Sequence, residues 1–101
     1  MDALRQINIT FNNAKRQADR LSECASQLQK VQRQLDSLSG NLQRDWSGDA
    51  ANAFLAKCSA LREKINGTAS DISQVSSTIR SAANAFYAAE MKALEIANSR
   101  D

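Results

Sequence analysis

The segment Asp45-Trp46-Ser47-Gly48-Asp49 lies almost at the midpoint of the 101-residue chain and holds its only tryptophan. On both sides of this segment, apolar residues recur with a helical period for tens of residues. Proline is absent and only three glycines occur, so long helices meet no strong interruption. The sequence therefore predicts an all-α fold, a single domain over residues 1–101, in which two helices form an antiparallel hairpin around this segment.

Before the bend, apolar residues alternate at spacings of four and three, which keeps them on one face of a helix. This row, which we call the seam, predicts a helix from about residue 3 to about residue 42, with Gly40 near its end. A second row with seven-residue spacing widens the apolar face. The seam includes Phe11, Leu21, Leu28 and Leu35, with Gln32 and Ser39 as polar members, and the second row consists of Cys24, Val31 and Leu38.

Residues 43–48 are predicted to form the bend. Ser47 or Gly48 can cap the following helix, and the carboxylate of Asp49 in its first turn is favoured by the helix dipole. Two interpretations of Trp46 remain open. Its ring either has a binding role or is only an apolar plug over the open end of the hairpin.

The second helix is predicted from about residue 49 to about residue 97, because the alternation of fours and threes continues without a break. The pair Asn66-Gly67 is a strong turn signal and would give three helices instead of two. The seam keeps its phase across this pair, however, so a continuous helix is favoured. The predicted seam of this helix includes Phe54, Cys58, Leu61, Ile65, Thr68, Ile72, Val75, Ile79, Ala82 and Phe86.

Composition excludes several classes of function. A formal net charge of +2 is too small to indicate a nucleic-acid or anionic-membrane partner, and no apolar run is long enough to span a bilayer. Histidine is absent and the two cysteines have no metal-binding or redox spacing, so we expect no catalytic residues, no metal and no cofactor. The first residues have no apolar region typical of a cleavable signal peptide. The protein is expected not to be an enzyme.

Two amphipathic helices cannot cover each other's apolar stripes completely. The second row of the first helix, and Leu55, Met91 and Leu94 outside the seam of the second, need a further covering surface. Two hairpins packed as a four-helix bundle supply one, so a dimer is predicted. A hairpin that reverses near Asp45 pairs residues whose numbers add to about 92, which places Cys24 and Cys58 too far apart for an intrachain disulfide.

The motif Trp46-Ser47-Gly48 between two helices with a heptad pattern, followed by Asp-Ala-Ala-Asn-Ala-Phe, resembles the WXG family of small proteins, the ESAT-like substrates of type VII secretion. The resemblance covers essentially the whole chain. It implies a homodimeric or heterodimeric four-helix bundle. It also implies export from the cytoplasm, without a cleavable signal peptide, by a machine driven by a secretion ATPase.

Family members often carry a C-terminal Tyr-x-x-x-acid export signal, which lies near the Trp-x-Gly bend of the partner subunit. Here Tyr87 is followed at that spacing by Met91, so the match is Phe86-x-x-x-Glu90. Because Phe86 also lies in the seam, core packing and signalling are equally open interpretations of it. The resemblance implies a recognition surface made of Trp46, Gly48, Phe86, Tyr87 and Glu90.

Two alternatives to a dimeric substrate remain. The first is a targeting chaperone that binds the helical N-terminal domain of a larger LXG toxin, since those small helical factors share the hairpin shape. The second is a generic cytoplasmic coiled-coil adaptor without any connection to secretion.

Overall fold

The computed structural model of the protein describes residues 2–99. Over that range the chain consists of two helices, α1 (Asp2–Asp45) and α2 (Asp49–Ser99), joined by residues 46–48. Side chains of α1 contact side chains of α2 in antiparallel order, for example Asp36 with Arg62 and Phe11 with Tyr87. The predicted all-α helical hairpin is confirmed.

The helices are longer than the sequence pattern predicted. α1 continues through Gly40 to Asp45, because an isolated glycine costs only about 1 kcal/mol in a helix interior and packing offsets this. The bend therefore contains three residues instead of six. Asn66 and Gly67 lie within α2, so the prediction of a continuous second helix is confirmed.

Gly48 caps α2. The backbone N–H of Trp46 donates to the Leu42 carbonyl oxygen at 2.9 Å, which closes the last turn of α1. The backbone N–H of Asn52 donates to the Gly48 carbonyl oxygen at 3.0 Å, which opens the first turn of α2. Asp49 is the acidic residue of that first turn, as predicted from the helix dipole.

Contacts within the chain group into two compact units. The terminal unit consists of residues 2–22 of α1 and residues 74–99 of α2. The bend unit consists of residues 23–73 and includes the reversal of the chain.

In the terminal unit, the buried side chains are few and mostly small. They are Ile7, Ala18, Ser76 and Ala83. Half-buried residues of the α1 seam, Phe11, Ala14 and Leu21, lie among them. Small inner residues let the two backbones approach closely, so the larger side chains pack beside the contact and not within it.

In the bend unit, the buried side chains are Ala25, Ala51, Cys58 and Ala69. The half-buried α1 residues are Leu28, Gln32, Leu35, Ser39, Gly40 and Leu42. All the predicted α1 seam positions of this unit are therefore buried or half-buried, including the polar pair Gln32 and Ser39. Cys58 is buried and Cys24 is exposed, and both thiols are free.

The two alternating rows of the predicted α2 seam differ in exposure within the single chain. Cys58, Ile65, Ile72, Ile79 and Phe86 face α1 at least in part, but Phe54, Leu61 and Val75 are 42%, 50% and 51% exposed. The inner row lies one residue later and consists of Leu55, Arg62, Ala69, Ser76 and Ala83. Two adjacent apolar rows fit the same periodicity, and the smaller side chains occupy the close contact.

The register also differs from the prediction. The contacts of Asp36 with Arg62, and of Phe11 with Tyr87, join residues whose numbers add to 98 instead of 92. The reason is that α1 runs on to Asp45, so the reversal lies later in the chain than the sequence pattern indicated.

Candidate functional site

An aromatic pair marks the bend. The rings of Trp46 and Phe54 have centroids 5.8 Å apart and are tilted by 50°. Trp46 remains 41% exposed and Phe54 42% exposed, so the pair is accessible on its outer side. The indole is supported on one side by Phe54 and open on the other, and the choice between a binding role and an apolar plug stays open.

The backbone at Gly48 explains why the motif needs glycine two residues after tryptophan. Gly48 has φ of +110°, a region that residues with a Cβ atom rarely adopt. A Cβ atom built at Gly48 would meet no heavy atom within 4 Å, so the requirement is conformational and not steric crowding. Glycine therefore sets the direction in which Trp46 leaves α1 and Phe54 follows in α2.

One flank of the bend unit is polar. Asp36, Gln43 and Ser59 line a groove of about 320 Å³ whose floor includes Gly40 and Cys58. The guanidinium of Arg62 donates to the Asp36 carboxylate across this groove at 3.0 Å. Asp36 and Gln43 lie beside the inner row of α1, and Ser59 lies beside the inner row of α2. Because all three line one groove, these two sides of the helices share one face of the unit.

The opposite flank of the bend unit is apolar. On a helix with 3.6 residues per turn, Val31 and Leu38 lie on the other side of the α1 inner row from Asp36 and Gln43. By the same geometry, Phe54 and Leu61 lie on the other side of the α2 inner row from Ser59. These four side chains therefore share one face, which we call the apolar face, and they are between 42% and 50% exposed.

The second predicted recognition element lies in the terminal unit. Tyr87 is half-buried and packs on Phe11, with ring centroids 4.7 Å apart, while the Lys15 ammonium lies 5.3 Å from the Phe11 ring. Phe86 is half-buried and Glu90 is exposed. Phe86 thus has both a packed and an accessible side, and the sequence-based choice between core and signal stays open.

The structure places the recognition residues predicted from the sequence in two groups. Trp46 and Gly48 belong to the bend unit, whereas Phe86, Tyr87 and Glu90 belong to the terminal unit. The predicted seam residues also fall into two groups by exposure. Those that are half-buried are Phe11, Leu21, Leu28, Leu35, Ile65, Ile72 and Ile79, and those that are exposed are Phe54, Leu61 and Val75.

Sequence reasoning missed a polar network in the terminal unit. The buried hydroxyl of Ser76 donates to the Ala18 carbonyl oxygen at 2.8 Å and lies 2.8 Å from the Ser22 hydroxyl. The Arg80 guanidinium reaches Ser22 at 3.2 Å and the Asp19 carboxylate at 2.8 Å. The sequence offered one signal for this network, namely that Ser76 is a polar residue in the inner row of α2, seven residues before Ala83.

Two further properties bear on function. Between residues 2 and 99, no group of histidine, cysteine, aspartate and glutamate side chains is arranged to hold a metal ion. Neither α1 nor α2 is long and apolar enough to cross a membrane over the residues that the structure describes.

The fold and the bend together define a class, namely a small helical hairpin whose reversal carries a Trp-x-Gly motif with an accessible indole. A family model agrees with this definition. The model WXG100, "Proteins of 100 residues with WXG", matches residues 6–91, and the chain belongs to this family. No curated protein and no solved structure matches the chain.

Membership identifies the chain as a small helical protein related to type VII secretion, a pathway that exports proteins of this family. The match extends over both helices and the bend, so it includes the aromatic pair, the apolar face, Phe86 and Glu90. The resemblance that rested on Trp46-Ser47-Gly48 is confirmed at the level of the family.

Proposed function

We propose that this protein is a non-enzymatic binding module of type VII secretion that acts as a dimer, and that the secretion ATPase recognises it through the Trp46–Gly48 bend and the Phe86–Glu90 pair. The observation that carries the proposal is the accessible Trp46 ring, held on Phe54 at a reversal whose backbone conformation favours glycine at position 48. In a chain of the WXG100 family, this geometry presents the motif residue for contact.

The apolar face supports the dimer. Val31, Leu38, Phe54 and Leu61 are each more than two-fifths exposed and lie together on one side of the bend unit. Grouped apolar side chains of this size favour burial against another protein surface. A second copy of the hairpin, or a related hairpin, would cover this face and complete a four-helix bundle.

The export experiment compares single variants in a producing cell that secretes the wild-type chain. Trp46→Ala and Glu90→Gln are expected to lower the exported fraction at unchanged intracellular amounts. Glu95→Gln is the matched control, since Glu95 is also an exposed acid on the same helix. Normal export of both folded variants would refute the proposed recognition surface.

The dimer experiment uses sedimentation velocity over a range of protein concentrations. Leu61→Glu introduces a charge into the apolar face and is expected to shift the protein towards monomer. Gln29→Glu adds the same charge at an exposed position on the polar flank of α1 and is expected to leave association unchanged. A stable, folded wild-type monomer at micromolar concentration would exclude the homodimer.

That last outcome would direct attention to a different occupant of the same face. A larger LXG-type toxin with a helical N-terminal domain, or a related but different hairpin, would then be expected to co-purify with the wild-type chain. Loss of this partner in Leu61→Glu, and its retention in Gln29→Glu, would assign the chain a targeting role.

A further inference from the structure

The inner contact of the terminal unit contains little that fixes how far α2 is shifted along α1. Ala18 is fully buried and Ala83 is 5% exposed, and neither side chain extends far enough to interlock with the opposite helix. Along α2, Ala83 follows Ser76 by seven residues, so it occupies the equivalent position one heptad later. A shift by one heptad would therefore replace Ser76 by a side chain of nearly the same volume.

The polar network distinguishes these two registers. Ser76 is 2% exposed, and its hydroxyl is satisfied by the Ala18 carbonyl oxygen and the Ser22 hydroxyl. After a shift of one heptad, the methyl group of Ala83 would face that carbonyl oxygen and Ser22, while Ser76 would move along α1 to the backbone of Ala25. The hydrogen bond between the Ser76 and Ser22 hydroxyls therefore forms only in the observed register, which it favours.

Arg80, at the edge of the contact between the helices, also favours the observed register. Its guanidinium donates to Ser22 at 3.2 Å and forms an ion pair with Asp19 at 2.8 Å. Ser22 and Asp19 both lie on α1, one turn apart. The planar guanidinium of Arg80 can reach both of them only when α2 has one particular position along α1. Among the described residues, no buried side-chain nitrogen or oxygen lacks a hydrogen-bond partner, so the network is complete in this register.

We propose that Ser76, Ser22, Arg80 and Asp19 form a register lock, which fixes the position of α2 along α1 in the terminal unit. The three-residue bend opposes sliding as well, because the adjoining helix ends would have to unwind, and the lock acts in addition to the bend. The lock supplies specificity more than stability, since one hydrogen bond contributes only about 1 kcal/mol net to the free energy of unfolding.

The experiment measures distances between two spin labels by pulsed electron paramagnetic resonance. The labels are attached to cysteines at Gln6 and Ser81, both exposed, in a chain that also carries Cys24→Ser and Cys58→Ala. In the observed register these positions are offset by about 17 Å along the helices, and a shift of one heptad changes this offset by about 10 Å. Labelled chains are diluted with unlabelled chains so that only distances within one chain contribute.

The wild-type network is expected to give one distance. Ser76→Ala is expected to add a second distance, with an unfolding midpoint close to that of the control. The control is Ser77→Ala, the same change at the neighbouring exposed serine, which is expected to keep one distance. If Ser76→Ala does not fold, Ser22→Ala interrupts the network at a half-buried residue and is expected to give the second distance instead.

Two outcomes would overturn the proposal. One is a single, unchanged distance in the folded Ser76→Ala chain and in the Ser22→Ala chain. The other is a second distance already present with the network intact, which would mean that these residues do not select a register.

Discussion

The interactions that hold α1 and α2 together differ between the two units of the hairpin. The terminal unit has a buried hydroxyl in its contact, continued by Arg80 to the surface, and a half-buried ring pair, Phe11–Tyr87. The bend unit has only small apolar side chains in its buried contact, and its ring pair, Trp46–Phe54, is exposed. One unit satisfies its polar groups internally, and the other exposes apolar ones.

This difference separates two tasks that one sequence pattern conceals. Of the eight large apolar side chains that are exposed in the described chain, five lie in the bend unit, and the motif residue Trp46 is one of these five. Apolar surface that the chain does not bury by itself is available for binding. The terminal unit instead uses specific hydrogen bonds, which select one arrangement of its helices.

Overpacking the buried contact is expected to have the largest effect, and it tests whether the two units are equally close-packed. Ala18→Leu and Ala69→Leu each insert three carbon atoms at a fully buried position. We expect losses in the free energy of unfolding of about 3 kcal/mol for Ala18→Leu and about 2 kcal/mol for Ala69→Leu. The larger loss is expected at residue 18 because the added side chain also displaces Ser76 from the Ala18 carbonyl oxygen.

The measurement is chemical denaturation followed by circular dichroism at one protein concentration, since the proposed dimerisation would make stability depend on concentration. Ala60→Leu, at an exposed position of the bend unit, is the control and should change stability by less than about 0.5 kcal/mol. Equal stability of all three variants would show that the inner contact is looser than the structure indicates.

The bend is expected to respond next most strongly. Gly48→Ala forces a residue with a Cβ atom to adopt φ of +110° and is expected to cost about 2 kcal/mol. Gly40→Ala and Gly67→Ala are matched controls inside helices, where an added Cβ atom meets nothing within 4 Å. Both are expected to stabilise the protein by about 0.5–1 kcal/mol in the same denaturation experiment.

A stabilising Gly48→Ala would mean that the reversal relaxes to an ordinary backbone conformation in solution. In that case glycine would be needed in the motif for contact with a partner and not for the turn.

The sequence was sufficient for the helical hairpin because periodicity over tens of residues reports which face of each helix is apolar. On α1, polar Gln32 and Ser39 were placed on the inner row because the seven-residue spacing of their neighbours allowed no other phase. On α2, two adjacent rows had apolar members, and periodicity alone could not decide between Leu61 and Arg62. Hydrophobicity favoured the leucine, but the half-buried residue is Arg62, whose guanidinium bonds to Asp36 on α1.

The candidate site was only partly accessible to sequence reasoning. Trp46 and Gly48 were recognised from their spacing, since the motif is local. The network of Ser76 with Ser22 and Arg80 joins residues more than fifty positions apart, so it depends on the register of the two helices. The sequence predicted a register in which the numbers of paired residues add to 92, whereas in the structure they add to 98. A serine in an alanine-rich row carries no periodic signal that separates it from a solvent-exposed serine.

The two ring pairs offer a smaller but direct test of the comparison. Phe11→Leu removes a half-buried ring pair and a contact with the Lys15 ammonium, and is expected to cost about 1 kcal/mol. In a chain that also carries Leu61→Glu, so that the proposed association is weakened, Phe54→Leu removes the exposed pair at the bend and is expected to change stability by less than about 0.5 kcal/mol. The two variants carry the same substitution, so each is the control of the other in one denaturation series.

Without Leu61→Glu, the proposed partner chain covers Phe54, so Phe54→Leu is expected to cost more in that background. An equally small cost of Phe54→Leu in both backgrounds would contradict burial of the bend pair by a partner chain.

The two ion pairs between the helices are expected to have the smallest effects. Asp36–Arg62 in the bend unit and Asp19–Arg80 in the terminal unit have side chains between 36% and 60% exposed, so water and salt weaken both. Double-mutant cycles with alanine at both partners are expected to give coupling energies of about 0.5 kcal/mol for Asp36–Arg62 and up to about 1 kcal/mol for Asp19–Arg80. The second pair is expected to be stronger because Ser22 holds the Arg80 guanidinium in place.

Raising the ionic strength should reduce the coupling energy of Asp36–Arg62 more than that of Asp19–Arg80. A larger coupling for Asp36–Arg62 would contradict the view that hydrogen bonds order the terminal unit more than the bend unit.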